Sequence, residues 1–374
     1  MFDKLEPLVI GDLEIKIPII QGGMGVRVSV ASLAAAVANC GAGGTIASVG
    51  LPPDTDENRA DVPKSSREHL QKQVRRAREL SADGAIGVNI MVALSNYEDQ
   101  VRTTAKEDVD YIISGAGLPL SLPEFAEGSS VKLIPLIASA RAAKLLLKTW
   151  KRRYNRLPDA FVVEGPLSGG HIAGYSLEEL KSLKGTMQNE PLLENAVKDV
   201  LELVAEYEKE YGASIPVIAA GGIFDGKDVA KFLRMGAKGV QIGTRFVATF
   251  ECSVADEFKQ LYIEAGEDDI FFIQSPVGMP ARVIRTKFLD DILRGERKEF
   301  NCNYQCLRTC DPATVQYCIA KALIDAVEGD IDNAIVLAGT NVARVTKIVS
   351  VKELIDEIVA ETIEELNKGL RIPI

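Results

Sequence analysis

The chain has 374 residues, with 43 Lys and Arg against 53 Asp and Glu, a net charge of −10, and 47% of its residues are hydrophobic. That balance fits a globular protein able to bury its core without disulfides, and it argues against nucleic acid or an anionic membrane surface as a partner, since both need a broad basic face. It leaves room for an anion site built from backbone N–H groups.

Met1–Asp12 carries three acidic residues and no apolar stretch of the signal-peptide kind, which makes the cytoplasm the expected location. Val28–Pro53 is uncharged for 26 residues. Its Gly, Ala and Ser content and the break at Cys40–Gly44 read as a buried helix followed by a buried strand, not as a membrane span. Apolar runs bounded by Gly or Pro then recur at Ile17–Gly22, Gly44–Ser48, Ala85–Met91, Tyr111–Gly115, Lys132–Ser139, Ala160–Gly165, Ile215–Gly222 and Gly239–Phe246. Several are apolar throughout, as parallel strands covered on both faces require. Amphipathic segments separate them. In Ser65–Leu80, for example, Leu70, Val74, Ala77 and Leu80 fall at helical spacing, while the cations between Lys64 and Arg78, together with His69, take the solvated side.

Eight strands alternating with helices predict an α/β protein of the (β/α)8 TIM-barrel type, with a doubly wound open sheet as its competitor. Residues 1–250 are expected to form the barrel and 251–330 a helical lid. Residues 331–374 are expected to return to the barrel, with a long helix over Ser350–Leu370.

Barrel sites lie where strands end at their C-termini, and there the chain is rich in glycine. Gln21-Gly22-Gly23-Met24-Gly25 follows the first strand, and Gly169-Gly170-His171 follows the sixth. Ala220-Gly221-Gly222 follows the seventh, and Gly243-Thr244 the eighth. The last two are the pattern of a barrel phosphate site, with amides and a hydroxyl directed at the oxygens. No Gly-x-Gly-x-x-Gly opens a helix, which argues against a Rossmann dinucleotide domain. His171 is one of only two histidines, and its glycine-flanked strand-end position makes it the candidate acid/base or hydrogen-bond donor. Asn89 and Glu164 point into the same mouth. Cys302, Cys306, Cys310 and Cys318 place four of the six cysteines within 17 residues. Their spacing matches neither a zinc knuckle nor a ferredoxin run, and two readings stay open: unligated thiols, or a thiolate site for an iron–sulfur cluster or zinc.

These motifs, with Gly87-Val88-Asn89-Ile90 and Val277–Ile284, resemble the nitronate monooxygenase (2-nitropropane dioxygenase) family, which includes the flavin-dependent enoyl-acyl-carrier-protein reductases. The resemblance extends from residue 14 to 290 and more loosely beyond. It implies FMN at the C-terminal face of the barrel, with the backbone of Gly22, Gly23 and Met24 bordering the flavin ring and Asn89 hydrogen-bonding it. Gly221–Gly222 and Gly243–Thr244 would hold the phosphate, with Gly169, Gly170 and Ala220 beside them. Gln241 and Glu164 would line the pocket, and His171 would serve as acid/base. The implied activity is oxidation of alkyl nitronates with O2, the alternative being NAD(P)H-dependent enoyl-acyl-carrier-protein reduction at the same flavin. The expected partners are a small-molecule substrate with O2 or NAD(P)H, and a second copy in a homodimer. Nitronate monooxygenases often carry a lysine in the fifth strand. Leu133–Ser139 has none and looks more like the reductases.

Overall fold

The computed structural model describes residues 4–368 apart from 51, 53, 54, 56, 57, 59, 60, 187, 188, 303 and 304. The eight expected strands are β1 (Ile19–Gln21), β2 (Gly44–Ala47), β3 (Ile86–Met91), β4 (Tyr111–Gly115), β5 (Lys132–Ile137), β6 (Phe161–Glu164), β7 (Val217–Ala220) and β8 (Gly239–Ile242). They pair in parallel in the order β1-β8-β7-β6-β5-β4-β3-β2, and a parallel bridge between Ile20 and Gly43 brings the two ends together. The sheet is therefore a barrel and not an open, doubly wound sheet. Successive residues of each strand face opposite ways. Ile20, Tyr111, Ile113, Ile134, Val162 and Ile218 fill the interior, while Ile19, Ile112, Leu133, Phe161, Val163 and Val240 pack against the helices. Both sets are buried, which is why these strands read as unbroken apolar runs. A hairpin of Leu8–Ile10 and Leu13–Ile15 closes the opposite, N-terminal mouth, its Leu8, Ile10 and Ile15 joining the interior cluster.

The surrounding helices are α1 (Ala31–Asn39), α2 (Val62–Leu80), α3 (Tyr97–Thr104), α4 (Ala140–Tyr154), α5 (Leu192–Tyr211) and α6 (Gly226–Met235). In α2 the Asp61 carboxylate caps the N-terminus by accepting the Lys64 N–H, and Leu70, Val74 and Ala77 are buried. Leu80 is exposed instead. The cations of α2 pair with acidic neighbours, Arg67 with Asp99 at 3.0 Å, Arg75 with Glu107 at 3.2 Å and Arg78 with Asp110 at 2.7 Å. The basic run is thus neutralised locally. His69 turns Nδ1 back to the Ser65 carbonyl, 2.9 Å away on its own helix. Among the described residues no helix is long and apolar enough to cross a membrane.

The segment expected as a helical lid holds a small sheet beside its helices. Residues 251–330 contain α7 (Asp256–Glu264), α8 (Lys287–Leu293) and α9 (Ile319–Glu328), but also two antiparallel strands, β9 (Ile270–Gln274) and β10 (Pro280–Ile284). The aromatic and β-branched residues of Ile270–Ile273 and Val283–Ile284 favour extended backbone, with the turn placed at Gly278. β10 also pairs with Val336–Leu337 and with a short strand, Gly170–His171. The histidine loop of the barrel is therefore an integral strand of the lid. The last helix, α10 (Val351–Lys368), returns to the outer ring beside α6 and buries Val351, Leu354, Ile355 and Ile358. The expected end at Leu370, like the Pro53 end of the uncharged stretch, lies outside the described residues.

Candidate active site

A cavity of about 280 Å3 opens at the C-terminal ends of the strands and continues under the lid. The barrel contributes Gly22, Gly23, Met24, Asn89, Glu164, Gly169, Gly170, His171, Ala220, Gly221, Gly222, Gln241, Gly243 and Thr244 to its wall. Every residue that the resemblance assigns to the flavin or to catalysis is thus brought to one cavity.

Several of these places have no room for a side chain, Gly23 and Gly221 among them. A Cβ on Gly23 would lie 2.2 Å from the Asn89 Cβ, so the backbone after β1 rests directly on the Asn89 side chain. Gly221 has φ +92°, and a Cβ there would stand 2.7 Å from the Gly165 carbonyl oxygen. Among the described residues, no protein carbonyl accepts the amide N–H of Gly221, Gly222, Gly243 or Thr244. These amides form a group of donors at the ends of adjacent strands, suited to an anion. Two more polar atoms on the wall, Gln241 Oε1 and Ser168 Oγ, are buried with no partner among the described residues. Buried polar atoms rarely stay unmatched, and here they border the space a ligand would fill.

His171 Nε2 lies 2.8 Å from Ser275 Oγ on the lid. Ser275 Oγ also accepts the Val277 N–H at 3.3 Å, which leaves its own hydrogen free for the imidazole. Burial pushes the His171 pKa down to about 4, so the ring is neutral near pH 7. Glu164, the last residue of β6, is shifted in the opposite sense. Burial raises its carboxyl to about 8 against the opposing pull of Arg282. Arg282, on β10, is itself buried and donates to the Pro166 carbonyl at 2.8 Å and to the Ser168 carbonyl. Its guanidinium lies 4.7 Å from the centre of the Phe272 ring.

Sequence reasoning missed the lid's share of the cavity. Phe258 and Tyr262 of α7, Ile319, Leu323 and Val327 of α9, and Leu307 build an apolar wall facing the barrel glycines. Ala338, Gly339 and Asn341, from the segment before α10, complete the rim. Asn341 Nδ2 donates to the Gly222 carbonyl at 2.7 Å, and the Gly339 N–H donates to Thr244 Oγ1 at 3.1 Å. The signal available was Gly339-Thr340-Asn341 after the short apolar run Ala334–Leu337, another glycine-polar sequence at a strand end.

The cysteines divide. Cys306 reaches the cavity wall, while Cys302, Cys310 and Cys318 do not line it. Among the described residues no group of three or more His, Cys, Asp or Glu side chains is gathered as a metal site.

Fold and cavity together define a (β/α)8-barrel enzyme with a group of unmatched amides at the ends of β7 and β8. The sequence profile of the nitronate monooxygenase family matches residues 6–361, and the chain belongs to that family of oxidoreductases. It is 31% identical over 280 residues to a Mycobacterium tuberculosis (3aS,4S,5R,7aS)-5-hydroxy-7a-methyl-1-oxo-octahydro-1H-indene-4-carboxyl-CoA dehydrogenase, covering 75% of this chain and 66% of that one. It is 26% identical to a Bacillus subtilis protein named "Probable nitronate monooxygenase", over 93% of this chain and 96% of that one. The structure of FabK from Thermotoga maritima superposes with a TM-score of 0.72 at 28% identity, covering 95% and 96% of the two chains.

Proposed function

We propose that this chain is an FMN-dependent oxidoreductase acting on an apolar acyl thioester, with NAD(P)H as electron donor. The observation that carries this reading is the two-sided cavity: unmatched amides on the barrel side, and on the lid side an apolar wall with no Lys or Arg among the described residues. An FMN phosphate fits the amides of Gly221, Gly222, Gly243 and Thr244, and Gln241 and Ser168 offer the unmatched polar atoms a flavin would satisfy. Gly22–Met24 and Asn89, which line the same cavity, would border the ring. When bound, FMN supplies the two-electron redox chemistry, and the protein supplies placement and proton handling.

The thioester substrate is supported by the apolar lid wall, which suits a neutral acyl group better than a small anion. The dehydrogenase relative, whose name specifies a carboxyl-CoA compound, supports it too. The neutral imidazole of His171 carries one proton. A Ser275 hydroxyl donating to Nε2 would fix that proton on Nδ1, from which His171 would deliver it to the carbon next to the thioester, the ring regaining a proton from water so that it returns to the neutral form. Nitronate oxidation with O2 is the second reading, favoured by the family and by the Bacillus subtilis relative.

Visible absorption of the purified protein tests the cofactor, since a colourless protein that takes up no added FMN would overturn it. Crotonyl thioester with NADH under argon, and propyl nitronate under air, then separate the two chemistries. The thioester reading predicts turnover in the first assay, and turnover with nitronate alone would refute it.

A further inference from the structure

The ladder of the barrel fixes where the amides after β7 and β8 stand, but not which way the turn after β7 faces. The parallel pairing of β7 with β6 and β8 ends at Ala220. Gly221 and Gly222 follow at φ +92° and +88°. Two successive glycines have many backbone conformations open to them, so a contact outside the ladder has to select one. A single segment supplies such contacts to three strand ends. It leaves the lid sheet at Ala338, whose N–H donates to the Arg282 carbonyl at 3.3 Å. The Thr340 N–H then donates to the Leu167 carbonyl, after β6, at 3.2 Å. The Gly339 N–H donates to Thr244 Oγ1, after β8, at 3.1 Å, and Asn341 Nδ2 donates to the Gly222 carbonyl, after β7, at 2.7 Å. The fit is close. A Cβ on Gly169 would lie 2.7 Å from the Gly339 nitrogen, and one on Gly339 would lie 2.7 Å from Thr244 Oγ1. Three residues further on, Arg344 pairs at 2.7 Å with Asp225, the N-cap of α6, and so holds the far end of the loop that begins at Gly221.

We propose that Asn341, with the backbone of Gly339, is a positioning residue for the phosphate end of the flavin, an inference that rests on the FMN reading above. The Gly339 N–H occupies a lone pair of Thr244 Oγ1, which leaves the hydroxyl hydrogen free for a ligand oxygen. Asn341 holds the plane of the peptide between Gly222 and Ile223, and with it the turn that carries the Gly221 and Gly222 amides. A turn set before the ligand arrives binds at its full intrinsic affinity. One that faces the cavity only part of the time binds more weakly in proportion. The effect belongs to one end of the ligand. The ring would rest on Gly22–Met24 and Asn89, after β1 and within β3, and the polar contacts of Asn341 and Gly339 lie with the loops after β7 and β8. Because the segment continues from the lid strand Val336–Leu337, a phosphate held there also ties the flavin to the lid.

The test compares FMN with riboflavin, which has the same ring and ribityl chain but no phosphate, by fluorescence titration of the flavin-free full chain. Asn341→Leu keeps the volume and removes the donor. It should weaken FMN binding roughly tenfold, the scale of one hydrogen bond, and leave riboflavin binding within about twofold. Asn341→Asp keeps the shape and serves if the leucine variant folds poorly. Its carboxylate cannot donate to the Gly222 carbonyl and repels a phosphate, so it should weaken FMN at least as much and again spare riboflavin. Equal losses for the two flavins would mean that Asn341 only supports the lid, and an unchanged FMN affinity would mean that the turn holds itself. Either result overturns this inference alone. A wild-type chain that binds neither flavin, or both equally tightly, overturns the phosphate site and this inference with it.

Discussion

Arg282→Met is the sharpest test of how the lid and the barrel form one site. Arg282 sits on β10, is buried, and donates to the Pro166 and Ser168 carbonyls in the loop that leads from β6 to His171. Removing the guanidinium leaves two buried carbonyls unmatched, at about 1–3 kcal/mol each. It also removes the contact with the Phe272 ring, worth roughly 0.5–2 kcal/mol. Methionine refills part of the volume, so the net loss should be about 3–5 kcal/mol, the range found when one partner of a buried ionic arrangement is deleted. The loop from Pro166 to His171 then loses its anchor, and FMN affinity should fall about tenfold, or about 1.4 kcal/mol. Urea unfolding monitored by circular dichroism gives the first number, and flavin fluorescence titration gives the second. Arg282→Lys keeps a charge without the fork geometry and should recover less than half of either loss. If Arg282→Met unfolds within about 1 kcal/mol of the wild type and binds FMN as tightly, the buried guanidinium is not what joins lid to barrel.

Further predictions address the groups around the cavity. The folded Glu164 carboxyl, raised to about 8, keeps a proton that the unfolded chain releases above the ordinary carboxylate range, so its contribution to stability declines as pH rises toward 8. The depressed His171 works the other way. Its contribution is complete above the ordinary histidine value and is lost as pH falls toward about 4. From about pH 6.5 to 8 only Glu164 of the two titrates, and Glu164→Gln should flatten the stability profile there; an unchanged slope in urea titrations would contradict the raised carboxyl. Ser275→Ala should lower kcat about tenfold while FMN stays bound, with Ser275→Thr restoring much of it, because the loss is one hydrogen bond orienting His171. Steady-state kinetics with the conservative variant distinguishes this from a packing defect. Gly221→Ala puts a Cβ at positive φ and 2.7 Å from the Gly165 oxygen, and should cost roughly 1–3 kcal/mol of stability together with most FMN binding, read by thermal unfolding and flavin content.

The barrel was legible because its strands are apolar on both faces and end in glycine. That pattern identified all eight, within two or three residues at most boundaries, and gathered Gly22, Asn89, His171, Gly221 and Gly243 at one end before any coordinates. The strands of the lid were not legible for a different reason. Ile270–Gln274 and Pro280–Ile284 are short, and whether such segments are strands depends on finding partners. Two of those partners are the distant pieces Gly170–His171 and Val336–Leu337. Asn341 and Tyr262 became site residues through the same long-range pairing. Nor could the sequence give the protonation states, since those of His171 and Glu164 depend on how completely the lid covers them. Leu323 and Val327 carry no mark in the sequence that separates a cavity wall from the core face of a helix.

That wall is where substrate length should be set, because the two sides of the cavity answer to different structural constraints. The amides after β7 and β8 are fixed by the barrel's own ladder, and a change there would disturb every ligand alike. Leu323 and Val327 lie one turn apart on α9, partly buried, and face the cavity without donating to the barrel. Leu323→Trp should therefore shorten the space under the lid and leave the amides untouched. Overpacking of about 1–3 kcal/mol would then fall only on substrates that reach α9, which is roughly a 10- to 100-fold loss of kcat/KM for a long-chain acyl thioester. Crotonyl thioester should keep its kcat/KM within about twofold, and FMN content should not change. Equal losses for short and long chains would mean that α9 supports the site as a whole and does not measure the substrate.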